Sequence, residues 1–74
     1  MKEITITTEY IKLDQLLKLS RLVNSGGEAK DFIACNDIYV NDEKEIRRGR
    51  KLRDGDIVRI GNQVFRIVQN GEQK

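Results

Sequence analysis

The stretch VNSGGEAKDFI, residues 23–33, decides how this chain is interpreted, because two glycines stand directly before a helix-like pattern. Such glycines belong either to the phosphate-binding loop of a nucleotide enzyme or to a joint between two helices. Ser25 and Glu28 have the S-x-x-E spacing of a capping box. In that motif the Ser25 hydroxyl accepts a hydrogen bond from an early helix N–H, and Glu28 reaches back to the Ser25 N–H. The stretch therefore predicts that a helix starts at the glycines.

The apolar residues after the glycines follow a helical period. Ala29, Phe32 and Ile33 fall at positions i, i+3 and i+4, which places them on one face of a helix. The pattern predicts a helix from about Gly26 to Cys35, and a polar residue, Asn, follows that can end it.

A nucleotide-binding loop needs more glycines in another context. The dinucleotide fingerprint is G-x-G-x-x-G after a strand, and the Walker loop is G-x-x-x-x-G-K-S/T. Neither motif is present, and the pattern before the glycines is helical. A bare helix N-terminus with two glycines still accepts a phosphate, because its N–H groups are free and no side chain obstructs the approach. Close packing or turn geometry explains Gly26 and Gly27 equally well, and the interpretations are compatible.

A first helix precedes the glycines. The segment LDQLLKLSRLV, residues 13–23, predicts a helix from about Leu13 to Ser20 or Arg21. Its apolar stripe consists of Leu13, Leu16, Leu17, Leu19 and Val23. Residues 22–24 form a short linker, so the two helices are expected to form a tight pair.

Short strands are predicted on both sides of the helix pair. The segment EITITT, residues 3–8, alternates Ile and Thr as a half-buried strand does. After the helices, the segment IYV leads into Asn41-Asp42, which is a turn signal. A short strand, KEI, is expected to follow that turn.

The last two strands are predicted to form a hairpin. The segments DIVRI and QVFRIV flank Gly61-Asn62, and Gly at the first central position suits a type II′ turn. That register sets Val58 opposite Phe65. The predicted inner face consists of Val58, Ile60, Phe65 and Ile67.

Together these elements predict a single α+β domain over residues 1–74. Two packed helices, a helix-turn-helix-like pair, are expected to lie against a small, mostly antiparallel twisted sheet of about four to five short strands. The predicted parts are an N-terminal strand (1–8), the helix pair (13–36), strands with a basic loop (38–68) and a frayed tail (69–74).

The residue composition disfavours several kinds of site. The chain has no His, and Cys35 is its only cysteine, so a zinc site is not expected and no disulfide can form within the chain. No Ser-His-Asp or Cys-His set is present, which predicts no enzyme, no cofactor and no metal. No apolar run reaches the roughly 18 residues of a membrane span, and the acidic N-terminus is unlike a signal peptide. A reduced thiol agrees with a cytoplasmic protein.

Positive charge is concentrated in residues 44–53. This segment has six cations and one carboxylate, a net charge of +5, whereas the whole chain carries +2. Arginine forks match phosphate oxygens, so the segment is a candidate polyanion-binding loop. A solvated loop is the alternative interpretation. The candidate RNA-binding residues are Lys18, Arg21, Ser25, Gly26, Gly27, Lys30, Arg47, Arg48, Arg50, Lys51 and Arg53.

The few aromatic residues argue against binding of single strands by successive base stacking. They are Tyr10, Phe32, Tyr39 and Phe65, and two of them are expected in the core. Platforms that stack successive bases need exposed rings. Structured RNA or duplex, recognised through phosphates and shape, is therefore the favoured ligand.

The order of elements resembles the RNA-binding domain of the ribosomal small-subunit protein four type, the S-four domain or alpha-L motif. That family's pattern is a helix, a Ser opening a second helix, an Ala with a basic residue, an apolar pair, V-x-V-N-G and a late G-D strand entry. The matching residues are Ser25, Ala29, Lys30, Phe32, Ile33, Ile38, Val40, Asn41, Gly55 and Asp56. The match covers about two-thirds of the chain, and SGGEAK and RRGRKL are most similar to stand-alone bacterial, YaaA-like members.

The resemblance implies that the helix pair and an adjacent loop bind structured RNA, and we expect a monomer. Ribosomal RNA is the expected partner, transfer RNA and the ribosomal subunit are further ones, and ribosome assembly or maturation is the implied process. Two positions depart from the family pattern. Asp42 stands where Gly is frequent, which changes the turn. Gly26 and Gly27 stand where many members have basic or polar residues, so contact there depends on backbone N–H groups and Lys30.

Two other functions share part of the pattern. A ubiquitin-like sulfur carrier also has a strand, a helix, a VN turn and L-x-x-G-D-x-V, but it requires a C-terminal Gly-Gly where this sequence ends NGEQK. The capped helix at Ser25 is also foreign to that fold. A protein-interaction module that docks its basic loop on an acidic partner is the second alternative.

Overall fold

The computed structural model describes residues 1–70, which contain two helices and seven short strands. The helices are α1 (Leu13–Leu19) and α2 (Gly26–Cys35). The strands are β1 (Lys2–Ile6), β2 (Ile11–Lys12), β3 (Ile38–Val40), β4 (Glu43–Lys44), β5 (Lys51–Leu52), β6 (Ile57–Ile60) and β7 (Gln63–Gln69). Part of the predicted frayed tail, residues 71–74, lies outside the described residues. The first residue of the predicted tail, Gln69, is the last residue of β7, so the predicted start of the tail was wrong.

The main sheet has five strands in the order β1-β7-β6-β3-β4. The pair β1–β7 is parallel and the other three pairs are antiparallel, which confirms the predicted α+β fold with a mostly antiparallel sheet. A separate two-stranded sheet, β2–β5, sets Ile11 opposite Leu52. This sheet was not predicted, because strands of two residues are too short to show an alternating pattern.

The predicted hairpin is confirmed in its register. Val58 pairs with Phe65, and Gly61 has φ 59° at the turn, a left-handed conformation that suits glycine. Alternate residues of the sheet point towards the helices and are buried, whereas Arg59 and Arg66 point away and are exposed. The core consists of Ile6, Ile11, Leu13, Leu16, Leu17, Val23, Ala29, Ile33, Ile38, Val40, Leu52, Val58, Ile60, Phe65 and Ile67.

The cap of α2 differs in one bond from the predicted capping box. The Ser25 hydroxyl accepts from the Glu28 N–H at 3.2 Å, as predicted. The Glu28 carboxylate, however, accepts from the N–H of Asn24 at 2.6 Å. The predicted bond to the Ser25 N–H was therefore wrong by one residue, since the backbone of Ser25 is extended and the donor within reach is the preceding amide.

The end of α1 is a tight turn centred on an arginine. Arg21 has φ 64°, and its N–H donates to the Lys18 carbonyl at 3.0 Å. The N–H of Leu22 donates to the Leu17 carbonyl at 3.0 Å. These are the two bonds of a Schellman motif, in which glycine usually occupies the left-handed position. Because Arg21 has a side chain, its backbone conformation costs about 1–2 kcal/mol.

The turn between β3 and β4 also has left-handed residues. Asn41 has φ 53° and Asp42 has φ 70°, as a two-residue type I′ hairpin turn requires. Asp42, which stands where the family often has Gly, thus keeps the turn but adopts a left-handed conformation that favours glycine. No helix in the described part of the chain combines the length and the hydropathy needed to cross a membrane.

Candidate nucleic-acid interface

The basic loop, residues 47–51, is docked on the first turn of α1. The N–H of Leu13 donates to the Arg50 carbonyl at 2.9 Å, and the N–H of Asp14 donates to the Arg48 carbonyl at 3.0 Å. The first N–H groups of a helix have no partner within the helix. Here the loop supplies the acceptors, so the loop backbone is held against the helix pair.

The side chain of Arg48 connects this loop to the second helix. One guanidinium nitrogen, Nη1, donates to the carbonyl oxygen of Gly26 at 3.3 Å. The first turn of α2 and the basic loop, which are more than twenty residues apart in sequence, therefore meet at an exposed arginine. Lys30 follows Gly26 by one helical turn and is exposed on nearly the same side of α2.

The two glycines leave this helix end open. A Cβ atom at Gly26 would meet no atom within 4 Å, and one at Gly27 would meet only the Ser25 hydroxyl at 3.9 Å. Neither residue has a positive φ. Close packing and turn geometry therefore do not explain the glycines, and those interpretations were wrong. Their effect is to leave no side chain on the first turn of α2, whose first N–H groups have no partner within the helix.

Glu45 organises the basic loop from a buried position. Its Oε2 accepts from the backbone N–H of Ile46 at 3.1 Å, from the N–H of Arg47 at 2.9 Å and from Arg47 Nε at 2.9 Å. Its Oε1 accepts from Arg47 Nη2 at 3.0 Å and from Arg50 Nη1 at 2.8 Å. Its own N–H donates to the Ile38 carbonyl at 2.8 Å. The carboxylate thus ties two arginines and the loop backbone to the sheet.

The charge of Glu45 is strongly stabilised. The Arg47 side-chain hydrogen bonds lower the pKa of Glu45 from 4.5 to about 2, against the opposing effect of burial, and the Arg47 N–H and Arg50 also lower it. The same contact raises the pKa of Arg47. The sequence showed Glu45 only as one carboxylate among six cations, and its organising role was missed. That isolation within a cationic run was the available signal.

The cations of residues 44–53 are not equally available. Glu45 holds Arg47 and Arg50. Two more pairs are exposed: Lys44 with Asp37 at 3.1 Å and Arg53 with Glu9 at 3.5 Å. Only Arg48 and Lys51 have no carboxylate partner within residues 1–70. Lys51 lies over the Tyr10 ring at 4.9 Å. The formal +5 therefore overstates the charge that is free to meet a ligand.

The remaining predicted residues lie at two places. Ser25 serves as the cap of α2 next to the glycines. Lys18 and Arg21 are exposed at the far end of α1, and no hydrogen bond or ion pair in residues 1–70 joins their side chains to the basic loop. Since α1 spans seven residues, that end is about 10 Å from the docked loop. The fold thus brings Arg48 of the basic loop to Gly26, beside Gly27 and one turn before Lys30, whereas Lys51 of the same loop lies over Tyr10.

This surface contains no metal-ligand set. Within residues 1–70, no three or more His, Cys, Asp or Glu side chains are grouped so that they could hold a metal ion. Its chemistry is that of cationic side chains and open backbone N–H groups, which suit phosphate oxygens.

A helix pair against a five-stranded sheet, with a basic loop docked on the helices, defines the class of this protein. The chain belongs to the S4 domain family, whose model matches residues 4–68. This confirms the resemblance to the S-four domain that the sequence indicated. Among curated proteins, the chain is 50% identical over 66 residues to the "Probable ribosome maturation protein RlbA" of Bacillus subtilis (strain 168). The match covers 88% of this chain and 93% of that protein.

Proposed function

We propose that this chain is an RNA-binding module that recognises structured RNA through phosphate and shape contacts. Ribosomal RNA is the proposed ligand, and ribosome assembly or maturation is the proposed process. Membership in the S4 domain family and the name of the Bacillus subtilis relative support this function. The observation that carries it is the contact of Arg48 with Gly26, which joins a cationic loop to an open helix start.

The surface suits a phosphate backbone. At the start of α2, the N–H groups of Gly26 and Gly27 precede the first intrahelical bonds and carry the positive end of the helix dipole. The Arg48 guanidinium uses one nitrogen for the Gly26 carbonyl and has further N–H donors for an incoming oxygen. Two further exposed cations are Lys30, one turn along α2 from Gly26, and Lys51 of the basic loop. The arrangement recognises charge and spacing, which fits duplex or folded RNA.

The proposed module acts without catalysis, cofactor or metal, as a monomer in the cytoplasm, with transfer RNA as an alternative ligand class. Membership in the S4 domain family favours this function over that of a ubiquitin-like sulfur carrier. The protein-interaction alternative predicts an acidic protein partner for the same loop, and the experiment below separates the two.

The test is binding of a fluorescently labelled ribosomal RNA hairpin, followed by anisotropy over a salt series. Three to five cationic contacts predict a log–log slope of about −3 to −4.5. Arg48→Gln removes the bridging cation and should lower the affinity and flatten the slope by about 0.9. Arg50 is unsuitable for this test, because it is bound to buried Glu45 and its replacement would also remove a partner of that carboxylate.

The matched control is Lys2→Gln, which removes an exposed charge from β1, an edge strand of the main sheet. This variant should bind as the wild type does. Loss of binding in Lys2→Gln as large as in Arg48→Gln would show that only total charge matters. Absence of hairpin binding at low salt, together with capture of an acidic protein through Arg48, would replace the RNA proposal by the protein-interaction one.

A further inference from the structure

One face of the five-stranded sheet is not covered by the helices. The buried strand residues point to the helix side, as the alternation in β6 and β7 shows. The residues between them point to the other side and are exposed or half-buried. They are Glu3, Thr5, Tyr39, Lys44, Ile57, Arg59, Val64, Arg66 and Val68. This set, named the open sheet face here, combines one ring, three short apolar side chains and three cations.

A cation lies over the ring of this face. Arg59 and Tyr39 are cross-strand partners, and the Arg59 guanidinium carbon is 4.7 Å from the centre of the Tyr39 ring. No carboxylate in the described part of the chain forms an ion pair with Arg59. Arg59 is exposed, so the side of its guanidinium away from the ring can meet a ligand. Nucleic-acid bases stack on such guanidinium planes as they do on aromatic rings.

A second free cation lies beside this stack. Arg66 is the register partner of Ile57, and Arg59 is the partner of Val64, so the two arginines are diagonal neighbours on adjacent strands. Diagonal neighbours on one sheet face are about 7–8 Å apart. Arg66 is exposed, and within residues 1–70 it has no ion-pair partner. A base and its adjoining phosphate can therefore meet two different cations.

We propose that the open sheet face is a second RNA-binding surface, which takes an unpaired nucleotide. The base stacks on the Arg59 guanidinium over Tyr39, and Arg66 binds the adjoining phosphate. Glu3 is the one carboxylate of this face. Lys44 is paired with Asp37, so Arg59 and Arg66 supply the free positive charge. This charge favours nucleic acid over a cationic or neutral protein as the ligand. A single stack suits one flipped-out or looped base, which agrees with the absence of a row of exposed rings for successive bases.

The two RNA surfaces lie on opposite sides of the domain. The basic loop and α2 belong to the helix layer, because the loop bonds to Leu13, Asp14 and Gly26. The open sheet face points away from that layer. One molecule can thus hold a structured segment on the helix side and an unpaired segment on the sheet side at the same time. This proposal goes beyond the helix-side function, and its failure would leave the helix-side function unaffected.

The test uses a labelled oligouridine of about ten nucleotides beside the labelled hairpin, in the same anisotropy assay. Arg59→Lys keeps the charge but removes the planar stack, so oligouridine should bind about five-fold or more weakly with an unchanged salt slope. Arg66→Gln should reduce the magnitude of the slope by about 0.7, the value for one phosphate contact with a single strand. Both side chains are exposed, and circular dichroism verifies that the variants are folded.

Helix-side and sheet-side effects are separated by the reciprocal variant. Arg48→Gln should weaken the hairpin and leave oligouridine unchanged, and saturating unlabelled hairpin should not displace the oligouridine. Wild-type binding of oligouridine by Arg59→Lys and Arg66→Gln would overturn the proposal, as would full displacement by the hairpin or no oligouridine binding at low salt. If the hairpin affinity still depends on Arg48 in any of these cases, the proposed function remains supported.

Discussion

Replacing Glu45 by Gln is the sharpest test of how the basic loop is held. The change keeps the size of the side chain and one carbonyl oxygen for the backbone N–H groups, but it removes the negative charge. The amide NH₂ that replaces the other oxygen would face Arg47 or Arg50, both of which can only donate hydrogen bonds. Since Glu45 is buried, water cannot substitute fully for the lost acceptor.

The magnitude follows from the pKa of Glu45. A carboxylate whose pKa falls from 4.5 to about 2 on folding stabilises the folded state by about 3 kcal/mol at pH 7. A domain of this length has a free energy of unfolding of roughly 4–11 kcal/mol in total. Glu45→Gln should therefore lower the Tm by about 12–24 °C. The matched control is Glu43→Gln in β4, an exposed carboxylate two residues away, which should change stability by less than about 0.5 kcal/mol.

The pH dependence has a definite sign. Because folding lowers the pKa of Glu45, its contribution is complete above pH 4.5 and is lost as the pH falls through about 2. The difference between wild type and Glu45→Gln should thus be about 3 kcal/mol at pH 7, roughly half of that at pH 3, and smaller below. Urea unfolding followed by circular dichroism at pH 7, 5, 4 and 3 measures this difference. A difference that stays constant across this range, or a Glu45→Gln variant as stable as Glu43→Gln, would refute the reasoning.

Three further predictions concern backbone caps and turns, and urea unfolding at pH 7 measures each of them. Ser25→Ala removes the hydroxyl that caps α2 and should destabilise the fold by about 1 kcal/mol. Ser25→Asp should retain most of the wild-type stability, because its carboxylate can also cap the helix. Equal stability of Ser25→Ala and wild type would contradict the capping role. Arg21→Gly relieves the left-handed conformation and should stabilise by about 0.5–1 kcal/mol after the entropy cost of glycine, while Arg21→Ala, which keeps a Cβ atom, should not. Asp42→Gly should stabilise by about 0.5 kcal/mol for the same reason, and a loss of stability would show that the Asp42 side chain supports the type I′ turn.

If Arg21→Gly is more stable, the natural arginine costs stability at that position. Residues in unfavourable backbone conformations are concentrated at functional sites. The hairpin assay then separates two explanations, because an unchanged affinity of Arg21→Gly would remove this end of α1 from the RNA surface. A reduced affinity would extend the surface from the basic loop to the C-terminal end of α1.

The sequence by itself determined the elements whose signals are local. A capping residue, an apolar spacing and a glycine turn predicted α2 and the β6–β7 hairpin, because each signal acts between residues only a few positions apart. The order of the predicted elements indicated the S-four family, and the family model confirmed that resemblance. Within α2, however, the predicted donor to the Glu28 carboxylate, the Ser25 N–H, was wrong, because the Asn24 N–H donates instead. Side-chain reach depends on the exact backbone path.

Only the tertiary structure decided which charges are free. Glu45 reaches Arg47 and Arg50 because its backbone is fixed to Ile38 of β3, a contact that no local pattern contains. The parallel pairing of β1 with β7 likewise joins the two ends of the described chain. The physical reason is the same in both cases. Periodicity records which face of an element is buried, whereas the pairing of these charges depends on the folded path of the loop, and the pairing of β1 with β7 joins residues far apart in sequence.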